Sequence, residues 1–140
     1  MYLWIFHALL SAIFASLVAI FGKLGLKDVD STLATTIRAI IMAIFLVIVS
    51  LTLGKAKSLA TLNNQALTFI TLSGIAGALS WLLYFTALKY GPTSAVAALD
   101  RLSLVFVFIF SVLVLSEQFT YKSAFGALCM AVGAILMSIK

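Results

Sequence analysis

Residues 93–115 read TSAVAALDRLSLVFVFIFSVLVL. Asp100 and Arg101 are the only ionisable side chains in this run of 23 residues. A helix that crosses a bilayer needs about 20 mostly apolar residues. A lipid-spanning strand needs about 10 and alternates apolar with polar. This run is continuously apolar and roughly twice that strand length. Its backbone N–H and C=O groups would have no water to bond in lipid, so the segment must satisfy them internally as a helix.

Working outward, the same reading applies on both sides. Ser116-Glu117-Gln118 separates this span from a last one over residues 119–139. Upstream, Lys89-Tyr90-Gly91-Pro92 closes a span over residues 66–88. Gly91 suits a helix C-terminus, and Pro92 suits the first turn of the next helix. Residues 31–53 form another span, with Asp30 or Ser31 as its N-cap. It ends at Gly54-Lys55-Ala56-Lys57, and residues 58–65 make the longest loop. The first span covers residues 3–25. It has no basic region ahead of it, and its apolar run exceeds the roughly 7–15 residues of a signal-peptide core, so it is read as a retained span.

Composition agrees. The chain is 64% hydrophobic and 9% charged, against about 45–50% and 25% in soluble domains. The fold class is therefore an all-α membrane protein, a bundle of five transmembrane helices with short loops. The net charge of +5 lies mostly beside apolar runs, where Lys and Arg anchor helices at headgroups. No basic cluster or soluble module points to nucleic acid. Cys129 is the lone cysteine, which excludes an intramolecular disulfide, and is read as a small packing residue. His7 and the aromatics Tyr2, Trp4, Tyr90 and Tyr121 suit the membrane interface. Lys23 is expected to snorkel from the end of the first span, and Glu117 to complement the positive end of the last helix.

Small residues recur every four positions: Ser11, Ala15 and Ala19; Ser73 and Gly77; Ser123, Ala127 and Ala131. Such residues let helices approach closely in lipid, either within the chain or, for the last span, across a dimer seam.

Five spans put the termini on opposite sides of the membrane. The side of the N-terminus carries Lys55, Lys57 and Lys122; the other carries Lys23, Lys27, Lys89 and Lys140, plus Arg38 if it snorkels that way. Orientation follows the Lys/Arg difference between sides, and here the excess is one or two. Either the side of the C-terminus is cytoplasmic, or the chain inserts both ways and pairs as an antiparallel homodimer. The second arrangement recreates the inverted repeat that many transporters carry in one chain.

Three charged residues lie inside the spans: Arg38, Asp100 and Arg101. Each costs about 2.5–3.5 kcal/mol at a helix centre, so each needs a partner or water. Arg38 and Asp100 each lie seven residues into their spans, roughly 10 Å deep, on the same side. Trp81 and Tyr84 lie at similar depth. Polar stripes recur at helical spacing: Thr93, Asp100, Ser103 and Ser111; Ser31, Thr35 and Arg38; Ser73, Gly77, Ser80 and Tyr84. Converging stripes would line one wet cavity. The candidate translocation-path residues are Arg38, Trp81, Tyr84, Asp100, Arg101 and Ser103. An Asp100–Arg38 or Asp100–Arg101 pair could equally be a structural bridge, and a gate is often such a bridge that opens. Two guanidinia against one carboxylate mildly favour a substrate with a carboxylate or phosphate. Metal-ligand spacing, a phosphate loop and a nucleophile elbow are all missing; neither enzyme chemistry nor a metal or cofactor is expected.

From Tyr84 through Lys140 the chain resembles the EamA-type domain of the drug/metabolite transporter superfamily. The resemblance rests on Ala87-Leu88, the small residues Ala95 to Ala98, Glu117, Phe119-Thr120, and Gly126 with Gly133. In layout it covers all five spans, as one domain over residues 1–140, whereas most family members carry two such domains. It implies export or exchange of small metabolites or drugs by alternating access. Asp100-Arg101 departs from the apolar or Ser-Pro step more usual there. The chain also lacks the first-helix Glu used for proton coupling in the related four-span small multidrug resistance family, which leaves Asp100 as the acid placed for that role. The expectation is a secondary-active transporter in the cytoplasmic (inner) membrane, multi-pass, with the lipid bilayer, a small-molecule substrate and a second copy as partners. Rival readings are a flippase for a lipid-linked substrate and a non-transporting accessory subunit.

Overall fold

A computed structural model describes residues 3–139. Tyr2, expected at the interface, and Lys140, counted in the charge balance, lie outside the described residues, as do the side chains of Lys57, Leu59 and Ala60. Among the described residues the regular structure is all helical: α1 (Leu3–Gly25), α2 (Ser31–Thr52), a 3-10 helix (Lys55–Thr61), α3 (Asn64–Tyr90), α4 (Thr93–Asp100), α5 (Ser103–Val114) and α6 (Tyr121–Ser138). Five stretches are long and apolar enough to cross a membrane, with α4 and α5 together making one of them.

Local chemistry sets the helix ends. Asp30 is the N-cap of α2: its Oδ1 accepts from the N–H groups of Thr32 at 2.9 Å and Leu33 at 3.1 Å. These are two of the donors that a first turn leaves unpaired. The Leu33 bond, helped by the Thr32 bond and by Lys89, holds the exposed Asp30 carboxyl below its ordinary value of 3.8, against a smaller opposing effect of burial. Gly54 follows α2 with φ +66°, the left-handed conformation that glycine adopts without strain. The 3-10 helix begins at Lys55, ahead of the expected loop over residues 58–65, and occupies its first half. The third span begins earlier than residue 66, because Asn63 caps it, its Oδ1 accepting from Ala66 N–H at 2.7 Å. Pro92 sits at the N-cap position of α4 rather than in its first turn. Ser116, at φ 55°, turns the chain after α5, and the Ser111 carbonyl accepts from both Leu115 and Glu117. Glu117 therefore contributes its backbone to the end of α5.

The chain divides into two compact units. One comprises residues 24–89, and the other residues 1–23 with 90–140. In the first, α2 and α3 run antiparallel: Ser31 near the start of α2 meets Thr86 near the end of α3 at 3.3 Å. Thr86 already donates its hydroxyl hydrogen to the Leu82 carbonyl at 2.8 Å, so Ser31 is the donor between them. Lys89 donates to the Val29 carbonyl at 3.1 Å, tying the end of α3 to the segment before α2. In the second unit, α6 packs on α4 and α5. Ala95 and Ala98 of α4 and Ala134 of α6 are buried, with Ala127 and Ala131 half-buried. Lys23 does not simply snorkel. Its ammonium donates to the Gly91 carbonyl at 2.9 Å, joining the end of α1 to the turn ahead of α4.

Large apolar side chains point outward all round, among them Ile41, Phe45, Leu83 and Leu113. The buried apolar set is small: Ala19, Leu26, Phe85, Leu88 and a few residues of α4 and α6. This inverts the soluble pattern and fits lipid as solvent. Hydroxyls are hidden accordingly. Thr35, Thr36, Thr68 and Thr71 each donate to the carbonyl four residues back, so their hydrogens stay within the helix.

The span over residues 93–115, expected as one straight helix, has a step in it. Arg101 and Leu102 donate to the carbonyls three residues back, Ala98 and Leu99, at 3.1 and 3.0 Å. Leu104 and Val105 then donate to Arg101 and Leu102, both at 3.0 Å. Arg101 and Leu102 have φ,ψ of −68°, −12° and −60°, −21°, values of the tighter 3-10 turn. Asp and its neighbour sit where the helix changes pitch, and the short Asp side chain is a poor helix former because it competes for nearby backbone groups.

Candidate functional site

Arg38 lies on the side of α2 that faces α3, half-buried. Its guanidinium carbon stands 3.7 Å from the centre of the Trp81 ring and 5.3 Å from that of Phe85. A guanidinium over an aromatic face is attracted by the ring quadrupole, by about 0.5–2 kcal/mol depending on desolvation. Trp81 is itself held edge-on by Tyr84 at 5.6 Å and against Phe85 at 5.9 Å. The antiparallel pairing of α2 and α3 brings these residues to one level.

This cluster closes one end of a groove of about 750 Å³ between α2 and α3. Its polar end is built by Thr32, Thr35, Thr36 and Arg38. Further along α2 the wall becomes Ala39, Met42, Ala43 and Leu46. The α3 wall is Gly74, Gly77 and Ala78, rising to Trp81 and Leu82. A Cβ placed on Gly74 or Gly77 would meet nothing within 4 Å. Those glycines therefore leave open space in the groove and do not serve a close helix approach there. From Thr32 to Leu46 the groove follows α2 for about 21 Å at the helical rise. Its size falls in the range of small-molecule sites, which are mostly apolar with a few placed polar groups.

The six residues singled out from the sequence divide between the two units. Arg38, Trp81 and Tyr84 meet in one. Asp100, Arg101 and Ser103 belong to the other and flank the α4–α5 step, with Asp100 half-buried and Arg101 and Ser103 exposed. Asp100 makes no ion pair with the described residues of its own unit, so an Asp100–Arg101 bridge is not formed. Of the polar stripes, Thr35, Arg38 and Gly77 reach the groove, while Ser31 is spent on Thr86 and Ser73 and Ser80 are exposed. Sequence reading missed Phe85, Thr32, Thr36 and Met42. Phe85 lies four residues after Trp81 and Met42 four after Arg38, and that spacing on one helix face was the available signal.

Comparison with known proteins fits this architecture. The profile of the EamA-like transporter family matches residues 2–139. An uncharacterized transporter in the cobO 3' region of Sinorhizobium sp is 39% identical over 136 residues, covering 97% of this chain and 96% of that protein. No solved structure matches the chain significantly. With five apolar spans, a groove carrying an intramembrane arginine, and a family profile matched along nearly its whole length, the chain belongs to the EamA-like transporter family, as a multi-pass membrane protein.

Proposed function

We propose that the protein is a secondary-active transporter of small metabolites or drugs, working by alternating access in the cytoplasmic membrane as a dual-topology homodimer. The observation that carries this reading is the α2–α3 groove with Arg38 at its polar end. A charge inside a span is expensive and marks substrate or ion pathways by default. Arg38, Trp81 and Tyr84 hold substrate in this proposal. Asp100, Arg101 and Ser103 lie where a span is discontinuous, a feature that transporters place at binding and coupling sites; Asp100 is the proposed coupling acid. Support for a dimer comes from the near-balanced Lys/Arg count. A second copy supplies the inverted repeat.

Proteoliposomes holding only this protein, preloaded with a mixture of small metabolites and followed by mass spectrometry, test transport. Selective loss of at least one solute, missing in protein-free and Arg38→Gln vesicles, is expected, and it excludes an accessory role because no other protein is present. Retention of every solute in all three would sink the reading. For dual topology, a cytoplasm-sensitive and a periplasm-sensitive reporter are fused in turn to the C-terminus. Both should give signal, and signal from one alone refutes insertion both ways up.

A further inference from the structure

The groove has a direction. At one end Arg38 offers a fixed positive charge. At the other, Met42, Ala43 and Leu46 face the open space in front of Gly74 and Gly77. The threonines beside Arg38 do not add donors, because Thr35 and Thr36 commit their hydroxyl hydrogens to the Ser31 and Thr32 carbonyls at 2.7 and 2.8 Å. The guanidinium dominates the polarity of that end.

Its charge is not answered from within its own unit. The acids of residues 24–89 are Asp28 and Asp30. Both precede α2, and Asp30 is engaged in capping it. Among the described residues of that unit Arg38 makes no ion pair or hydrogen bond; its partners are the rings of Trp81 and Phe85. Ring contacts made through the guanidinium carbon use none of its N–H hydrogen bonds. A guanidinium carries five such donors. A planar fork of donors matches carboxylate, sulfonate or phosphate oxygens, and a guanidinium in an apolar groove whose own unit offers no free acid beside it attracts such a group strongly.

We infer that the α2–α3 groove binds an amphipathic organic anion, its acidic head on the edge of the Arg38 guanidinium beside Trp81 and its apolar body lying along Met42 to Leu46 over Gly77. This rests on the transport reading for its physiological purpose, since it names the chemical class of that transporter's cargo. Binding itself can be measured without flux. The head could belong to a soluble organic acid or to an anionic lipid; the groove chemistry is shared.

Trp4 is exposed, at 71%, and is replaced first: Trp4→Phe leaves Trp81 as the sole tryptophan. In nanodiscs of phosphatidylcholine, 4-(4-iodophenyl)butanoate should quench Trp81 saturably. The corresponding amide, with the same body and a neutral head, should give only the linear quenching of partition into lipid. Arg38→Gln should weaken the saturable component at least tenfold, and Arg38→Lys less, since it keeps the charge without the planar fork. Gly77→Leu should weaken it by filling the space of the body. Circular dichroism and elution volume establish that each variant is folded. In a second arm, phosphatidic acid with brominated chains is added to the nanodiscs. Saturable quenching by the soluble probe supports a soluble acid as cargo, and quenching by the brominated lipid alone supports a lipid anion. Equal quenching by acid and amide, no saturable quenching in either arm, or an undiminished signal in folded Arg38→Gln overturns the inference. Binding as described with no solute flux from proteoliposomes would reject transport and leave the anion site standing.

Discussion

In α2, Arg38 follows Ser31 by seven residues; in α4, Asp100 follows Thr93 by seven. The two spans meet the same problem, a charge some 10 Å inside a membrane-crossing segment, and their backbones respond differently. Around Arg38 the helix runs on unbroken to Thr52. Its long side chain reaches across to α3 and lies on Trp81. At Asp100 the helix ends, tightens over Arg101 and Leu102, and restarts at Ser103. A short carboxylate cannot reach a neighbouring helix in the same way, and it competes for the backbone beside it. The contrast separates a static charged wall, at α2–α3, from a place where the main chain is already part-way out of regular structure, at α4–α5. In the proposed transport cycle the first would bind and the second would move.

The largest expected effect is at Arg38. Arg38→Leu removes a charge that costs about 2.5–3.5 kcal/mol to bury, so insertion of α2 should improve by nearly that amount in a translocon insertion assay. Flux should fall about 10–100-fold, the equivalent of the ~1.5–3 kcal/mol carried by a hydrogen bond to a charged group. Better insertion with lost flux is the mark of a functional charge. Poorer folding together with lost flux would make Arg38 a structural pin and break the contrast.

Gly77→Leu comes next. Its Cβ meets nothing within 4 Å, and replacing glycine in a helix favours the helix by up to about 1 kcal/mol. Stability measured by thermal denaturation in detergent should hold or rise while flux drops about tenfold. A loss of stability would show instead that another surface closes over Gly77.

Much of the fold was legible because lipid imposes it: continuous apolar runs longer than about 20 residues leave no alternative to helix. The C-terminal end of α1 followed from Gly25, and the start of α2 from the Asp30-Ser31 pair, either of which could have been its cap. The step at Asp100–Leu102 was hidden because hydropathy averages over a window of about 19 residues and so ignores how one residue bonds its own backbone. At the site, depth counting placed Arg38 level with Trp81 correctly, since the rise per residue is fixed. Phe85 was passed over because an apolar ring in an apolar span looks like any lipid-facing residue until its neighbour is known to be a guanidinium. Gly77 was read with Ser73 as a close-packing stripe and Gly74 was not singled out; a small residue looks the same in a sequence whether it packs or leaves room, and here both leave space.

A smaller effect tests the α4–α5 side directly. Bonds to the carbonyl three residues back are poorer in geometry than regular helical ones, and such places open locally more often. In nanodiscs, the amides of Arg101 to Leu104 should exchange hydrogen several-fold faster than those of Ala39 to Met42, equally far from the start of their span in the unbroken α2. Asp100→Ala should slow them toward the α2 rate by restoring a good helix former at the end of α4. Equal exchange in the two spans before any substitution would remove the distinction between wall and hinge.

The smallest expected effect lies at the entrance to α2, where pH acts on the cap. The Leu33 N–H, with Thr32 and Lys89, keeps the Asp30 carboxyl below 3.8 in the folded protein. A group with a lowered folded-state value stabilises above its unfolded value and loses that contribution as pH falls through the folded one. The cap should therefore be fully effective above pH 3.8 and weaken only below it. Followed by solution NMR in detergent, the Thr32 and Leu33 amide resonances should shift cooperatively in that acid range, while those of Ala39 to Met42 stay put. Asp30→Asn keeps an accepting oxygen but has no charge to titrate, so the shift should vanish with the helix start intact. If the resonances of Arg38 and Trp81 moved together with Thr32 in the wild type, the first turn of α2 and the groove would be one cooperative element. The static wall would then have to be extended to include its cap.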